Sequence, residues 1–188
     1  IIAPAIHKTK DDISKLFSEK LGIPYYDKPE ELTKVARERL RSEFLNADMG
    51  VSGANFAVAE TGTIAIVENE GNARLTTTVP RIHVALVGIE KLIPKVEDLS
   101  LFLTLLARSA TGQKSSTYVS FITGPKIATD IDGPEEFHLV LLDNGRSGIL
   151  ASNETRESLY CIRCGACLNI CPVYRHVGGH AYGWAYSG

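Results

Sequence analysis

Cysteine is missing from the first 160 residues of this 188-residue chain, and all four cysteines fall between positions 161 and 171. A secreted disulfide framework spreads its cysteines so that bridges clamp distant segments. The clustering excludes that pattern and points to a ligand set in a reducing cytoplasm. Long apolar runs are missing too. The longest uncharged apolar stretch, residues 99–107, falls well short of the ~20 residues a spanning helix needs, and it contains Ser100 and Thr104. No membrane span is expected. Charge of either sign is not in excess: 20 basic against 22 acidic residues leave a net charge of −2, which gives no electrostatic case for nucleic acid or an anionic membrane. Neither a GxGxxG run nor a P-loop occurs, so nucleotide binding has no local support. There is no internal repeat and no low-complexity tract. Met49 is the single methionine and the first residue is Ile1, so the chain reads as a piece of something longer. The stretch 1–6 lacks the basic flank of a signal peptide and is broken by Pro4 and followed by His7.

What remains is an ordinary globular composition, 44% hydrophobic and 22% charged. A chain of this length buries roughly 70% of its unfolded surface and needs no staples. Residues 9–21 form a helical pattern, with Ile13, Leu16, Phe17 and Leu21 on one face, Asp11 and Asp12 in the first turn and Gly22 as a stop. A second helix is expected from Pro29 to about residue 45, with Leu32, Val35, Ala36, Leu40 and Phe44 as its stripe. Residues 56–59 and 63–67 flank Glu60-Thr61-Gly62 as a strand pair around a tight turn. Residues 68–80 are polar and predict a loop, and 83–89 a buried strand. A helix opening at Glu97 and Asp98 carries Leu99, Phe102, Leu103, Leu106 and Ala107, and two more strands fall at 117–123 and 137–143. Alternating helices and apolar strands predict a layered α/β domain over residues 1–146. A short polar helix, 147–160, then links it to a cysteine segment, 161–188.

That segment contains Cys161-Ile-Arg-Cys164-Gly-Ala-Cys167-Leu-Asn-Ile-Cys171-Pro172, the C-x2-C-x2-C-x3-C-P run of bacterial ferredoxins. Three thiolates at this spacing wrap one face of a [4Fe–4S] cube, the fourth cysteine usually serving another cluster. Ile162, Leu168, Ile170 and Val173 are the apolar shield such a cluster would use. The rival readings are a zinc site, with His176 and His180 as further ligands, and a redox dithiol.

With this motif in view, the chain resembles the iron–sulfur lactate utilization protein B family. The stretches that carry the resemblance are IIAPAIHKT (1–9), GVSGANFAVAETGTIAIVENEGNARLTTTVP (50–80), RSATGQ (108–113), SFITGP (120–125), HLVLLDNGRS (138–147) and CIRCGACLNICPVYRHVGGHAYG (161–183). The resemblance implies a LUD domain with the fold of CoA transferases and ribose-phosphate isomerases, followed by a ferredoxin-like domain. It implies two [4Fe–4S] clusters in the family's full-length protein, with the second cysteine motif absent from this chain. Cys161, Cys164 and Cys167 would then serve one cube and Cys171 the other, so that 188 residues complete neither. It also implies cytoplasmic oxidation of L-lactate to pyruvate alongside a smaller LUD-domain protein and a cysteine-rich iron–sulfur protein.

A small 2-hydroxy acid would need a cation for its carboxylate and a base for its hydroxyl. Arg74, Arg81 and Arg108 are the candidate forks, and His83 and His138 the candidate bases. Both histidines sit on apolar strand-like runs, where a satisfied core or edge histidine is the ordinary alternative. Glu60-Thr61-Gly62-Thr63 offers backbone N–H groups and hydroxyls to an anion, or is simply a turn. Asn69-Glu70-Gly71-Asn72 and residues 76–78 line a pocket or form a solvated loop. Asp143-Asn144-Gly145-Arg146 follows a buried strand, the usual place for sites in α/β sheets. Arg175, His176, Gly178, Gly179 and His180 are expected to pack around the cysteine segment. Three functions follow: an electron-transfer subunit, a small-acid or anion-binding module that relays redox state, or an inert platform for partners.

Overall fold

A computed structural model describes residues 8–182, without the side chains of His180 and Tyr182. The readings made of residues 1–6, of the 183–188 tail and of the His180 side chain lie outside the described part. Two compact units divide the chain: residues 1–43 with 165–188, and residues 44–164.

The first unit opens with α1 (Lys10–Leu21). Thr9 caps it in a reciprocal box with Asp12, and Gly22, at φ 67°, closes it in the left-handed region that glycine enters freely. The buried residue on α1 is Ser14, whose hydroxyl accepts from the Tyr26 N–H at 2.9 Å, while Leu16 and Leu21 stay over a third exposed. Helix α2 (Pro29–Asn46) starts on its proline as expected, and of its stripe only Leu32 is fully buried. Two short helices, α6 (Ala166–Ile170) and α7 (Pro172–Val177), carry the second half of the cysteine run.

The second unit holds two sheets. Strands β1 (Met49–Gly53), β4 (Ile82–Gly88) and β7 (Glu136–Leu142) form a parallel sheet in the order β1-β4-β7. The other sheet takes the order β5-β2-β3-β6 from β2 (Phe56–Val58), β3 (Ile64–Glu68), β5 (Leu92–Ile93) and β6 (Tyr118–Ile122). Its β2–β3 pair is the antiparallel hairpin read from the sequence. One core cluster of Ala54, Ala57, Ile64, Ile66, Ala85 and Val87 includes residues of both sheets. Another gathers Phe56, Val58, Ala65 and Ile93 with Leu99 and Leu106 of α4 (Leu99–Thr111). The layered α/β expectation holds.

Residues 68–80 correct the sequence reading, because they contain a helix, α3 (Asn72–Thr78), rather than a loop throughout. Its N-cap, Gly71, has no side chain, so the cap comes from outside the helix. The Glu68 carboxylate accepts from the N–H groups of Gly71, Ala73 and Arg74 at 2.8–3.1 Å. The linker also differs: 147–160 is not one helix but α5 (Arg146–Ala151) and a separate 3-10 turn at Arg156–Tyr160. Its first turn is capped by Asp143, which accepts from the Ser147 N–H at 2.7 Å and is thereby held below the usual carboxylate range.

Candidate functional site

Because β1, β4 and β7 are parallel, the loops after all three leave the sheet on one side, and side chains from them meet there. Glu90, two residues past β4, is only 3% exposed at its side chain. Its Oε2 pairs with Nε of Arg146, which follows β7, and its Oε1 lies 3.7 Å from Nη2 of Arg163. A buried carboxylate is costly unless paired, and two guanidiniums supply the pairing. The Lys91 ammonium donates to the Ala54 carbonyl just beyond β1, at 2.7 Å. Burial pushes Lys91 below the usual lysine range; Glu90 opposes that shift, and Arg163 and Arg146 add to it.

This cluster fastens the first half of the cysteine run. Arg163 has φ 58°, a conformation that costs a side-chain-bearing residue about 1–2 kcal/mol. Glu90 faces its guanidinium, and Ile162 and Cys164 on either side pack against the core around Phe56 and Leu106. A pocket of about 210 Å³ lies here, lined by Lys91, Ile93 and Cys161 and by Phe56 and Phe102, whose ring centroids are 5.2 Å apart. All of these residues belong to the 44–164 unit.

Cys161 and Cys164 thus sit in one unit, Cys167 and Cys171 in the other. All four are free thiols. Cys171 caps α7, its Sγ accepting from the Tyr174 N–H at 3.4 Å. Among the described residues no three His, Cys, Asp or Glu side chains are gathered to hold a metal ion. The donor chemistry nevertheless fits an iron–sulfur cluster, since four cysteines free of disulfides follow one another at ferredoxin spacing, with left-handed backbone at Arg163 and Gly165. Of the expected shield, Ile162 is packed on the core, whereas Ile170 and Val173 are more than half exposed. Arg175 donates to the Asn169 carbonyl at 3.1 Å, and a His176 ring nitrogen lies 2.7 Å from the Pro172 carbonyl, both within the second half of the run.

The other sequence candidates are more dispersed. Arg81 pairs with Glu136, which raises the guanidinium and lowers the carboxylate from their usual ranges, and His138 lies 3.6 Å from the same carboxylate. Arg74 stacks over the Tyr118 ring at 5.4 Å. Arg108 is exposed in the last turn of α4. At the Glu60–Thr63 turn the groups bond one another. Thr61 donates to Thr63 Oγ1 at 2.8 Å, Thr63 meets Thr123 at 3.0 Å, and Glu60 accepts from the Val96 N–H. Asn69 joins Gln113 and the Thr117 N–H, and the hydroxyls of residues 76–78 bond back to helix carbonyls. His83 is fully buried on β4, with Nε2 2.7 Å from Ser52 Oγ, Nδ1 unpartnered and Phe137 against its ring. Burial pushes it below the usual histidine range.

The structure joins Arg146 from Asp143–Arg146 to Arg163 through Glu90. Sequence reasoning missed Glu90 and Lys91. The available signal was a charged pair just past the carboxyl end of a buried strand, where α/β sheets build their sites.

The LUD domain family profile matches residues 1–142, and a 4Fe-4S dicluster domain profile matches 157–188. Proteins named lactate utilization protein B from Shouchella clausii, Geobacillus sp. and Bacillus subtilis are 55%, 53% and 50% identical over all 188 residues. The chain spans 39% of the length of each. A crystal structure of a DUF162 family protein from Deinococcus radiodurans is 20% identical, with a TM-score of 0.40 over 53% of this chain and 56% of that one. The chain belongs to the LUD domain family, with a 4Fe-4S dicluster segment following the LUD region.

Proposed function

We propose that this chain is the iron–sulfur electron-transfer part of a cytoplasmic system that oxidises L-lactate to pyruvate. The observation that carries the proposal is the cysteine run at ferredoxin spacing, with its first turn packed on the α/β core at Ile162 and Cys164. The name shared by the relatives supports the substrate, and the dicluster profile supports the cofactor. Lactate oxidation releases two electrons, and a [4Fe–4S] cluster takes up and passes on one at a time. In this reading Cys161, Cys164 and Cys167 hold one cluster and Cys171 contributes to a second. Residues 1–146 form the LUD domain, 147–160 the linker and 161–188 the start of the ferredoxin-like domain. The Glu90–Arg163 pair and the core contacts of Ile162 hold the first cysteine turn in shape, and Arg163 places positive charge next to the thiolates. The partners are a smaller LUD-domain protein and a cysteine-rich iron–sulfur protein. No described helix is long and apolar enough to cross a membrane.

A second reading is a small-acid-binding module that relays redox state without catalysis of its own. Arg74, Arg81 and the turn Glu60–Thr63 would hold the acid, Arg81 exchanging Glu136 for it. Anaerobic reconstitution with the partners separates the two: L-lactate bleaches the cluster absorbance if electrons pass through this chain. Ligand-induced thermal stabilisation without bleaching favours the binding module.

A further inference from the structure

We infer that the pocket beside Cys161 is a binding site for a small organic carboxylate, with Lys91 as its anchoring cation. Lys91 lines the pocket together with Arg163, and its one hydrogen bond among the described residues goes to a neutral carbonyl, that of Ala54. Among the described residues no carboxylate stands within ion-pair distance of it. The nearby Glu90 is already engaged by Arg146 and faces Arg163. An ammonium has three donors, so two remain for an anion. Burial is the largest cause of the depressed lysine range noted above, Glu90 opposing it and the two guanidiniums adding to it, as for a partly dehydrated ammonium.

The remaining wall sets the chemical class. Phe56, Ile93 and Phe102 are apolar lining residues, and Asn55 lines the pocket as well. Its oxygen accepts from the Val67 N–H at 2.9 Å, so the NH2 group is the part with donors to offer. A volume of about 210 Å³ suits an acid of a few carbons. A hydroxyl or keto group next to the carboxylate suits the amide, and a short alkyl group suits the phenyl rings. The site lies at the carboxyl edge of the parallel sheet, where such folds bind ligands. It also brings the acid against Cys161, the first thiol of the motif.

The choice of acid rests on the proposed function; the pocket and its charge do not. The test is titration of the 188-residue chain with L-lactate, pyruvate, inorganic phosphate and propane-1,2-diol, followed by NMR and by the alkylation rate of Cys161. L-lactate or pyruvate is expected to shift the resonances of residues around Lys91 and to slow alkylation of Cys161 at least threefold. Cys167, also exposed but outside the pocket lining, serves as the reference. The neutral diol is expected to do neither. Lys91→Met keeps the aliphatic stem and should weaken carboxylate binding about tenfold with unchanged far-UV circular dichroism. Loss of binding in Arg81→Lys but not in Lys91→Met moves the acid to the Arg81 region and overturns the pocket. Phosphate binding without carboxylate binding overturns the ligand class. Carboxylate binding that survives while lactate fails to bleach the clusters keeps this pocket and removes the electron-transfer reading.

Discussion

His83 is the residue whose burial has the clearest consequence in solution. Its ring is wholly enclosed, with Ser52 on one nitrogen and nothing on the other. Burial lowers its pKa in the folded state, so the unfolded chain takes up this proton first, near pH 6.5. This contribution to stability is therefore complete above that pH, is lost as pH falls through it, and levels off once the folded ring also protonates. Urea denaturation between about pH 8 and 5 should show that decline, and His83→Gln should remove most of it; a slope unchanged in the variant would contradict the assignment. Ser52→Ala should cost about 1–3 kcal/mol at neutral pH, because it leaves both ring nitrogens unpaired in the core. The same burial argues against His83 as the base considered from the sequence. A side chain with no exposed surface has no access to substrate.

At the scale of elements, α3 has its cap and its seat in different places. The cap is the Glu68 carboxylate, and Glu68→Ala should destabilise the protein by about 1–2 kcal/mol, measured by urea midpoint. The seat is Gly50 on β1, where a Cβ would come within 1.9 Å of the Thr76 carbonyl oxygen. Gly50→Ala should cost about 1–3 kcal/mol by forcing α3 away from the sheet; a neutral effect would show that the contact is loose.

These two features also explain what the sequence hid. Helix α1, the β2–β3 hairpin, β4 and α4 were legible because each carries its own cap, turn or continuous apolar run. Strand β1 was not, because Gly50, Ser52 and Gly53 leave it little apolar pattern; its place comes from pairing with β4. Helix α3 was hidden by its threonines and by a cap that lies outside it. The cysteine run was legible because thiolate spacing is local, whereas Glu90 and Lys91 gain meaning only when β1, β4 and β7 bring three loops together.

For the whole molecule, the account holds that an α/β unit carries a cysteine run without depending on it for its fold. The LUD-matched residues contain no cysteine and their core is mostly aliphatic, with Phe56 as its buried aromatic. Cys164→Ala should accordingly keep the far-UV signal of helix and strand while losing cluster binding; collapse of that signal would show that the two are not separable. The central claim is that Cys161, Cys164, Cys167 and Cys171 are iron–sulfur ligands rather than zinc ligands or a dithiol. Anaerobic incubation of the chain with iron and sulfide, and in parallel with zinc, followed by metal and acid-labile sulfide analysis, tests it most directly. The account predicts a coloured product holding iron and sulfide in equal proportion, at fewer than the roughly eight irons of two complete cubes, and absent from Cys164→Ala. Tight uptake of one zinc per chain with no retained sulfide would contradict it.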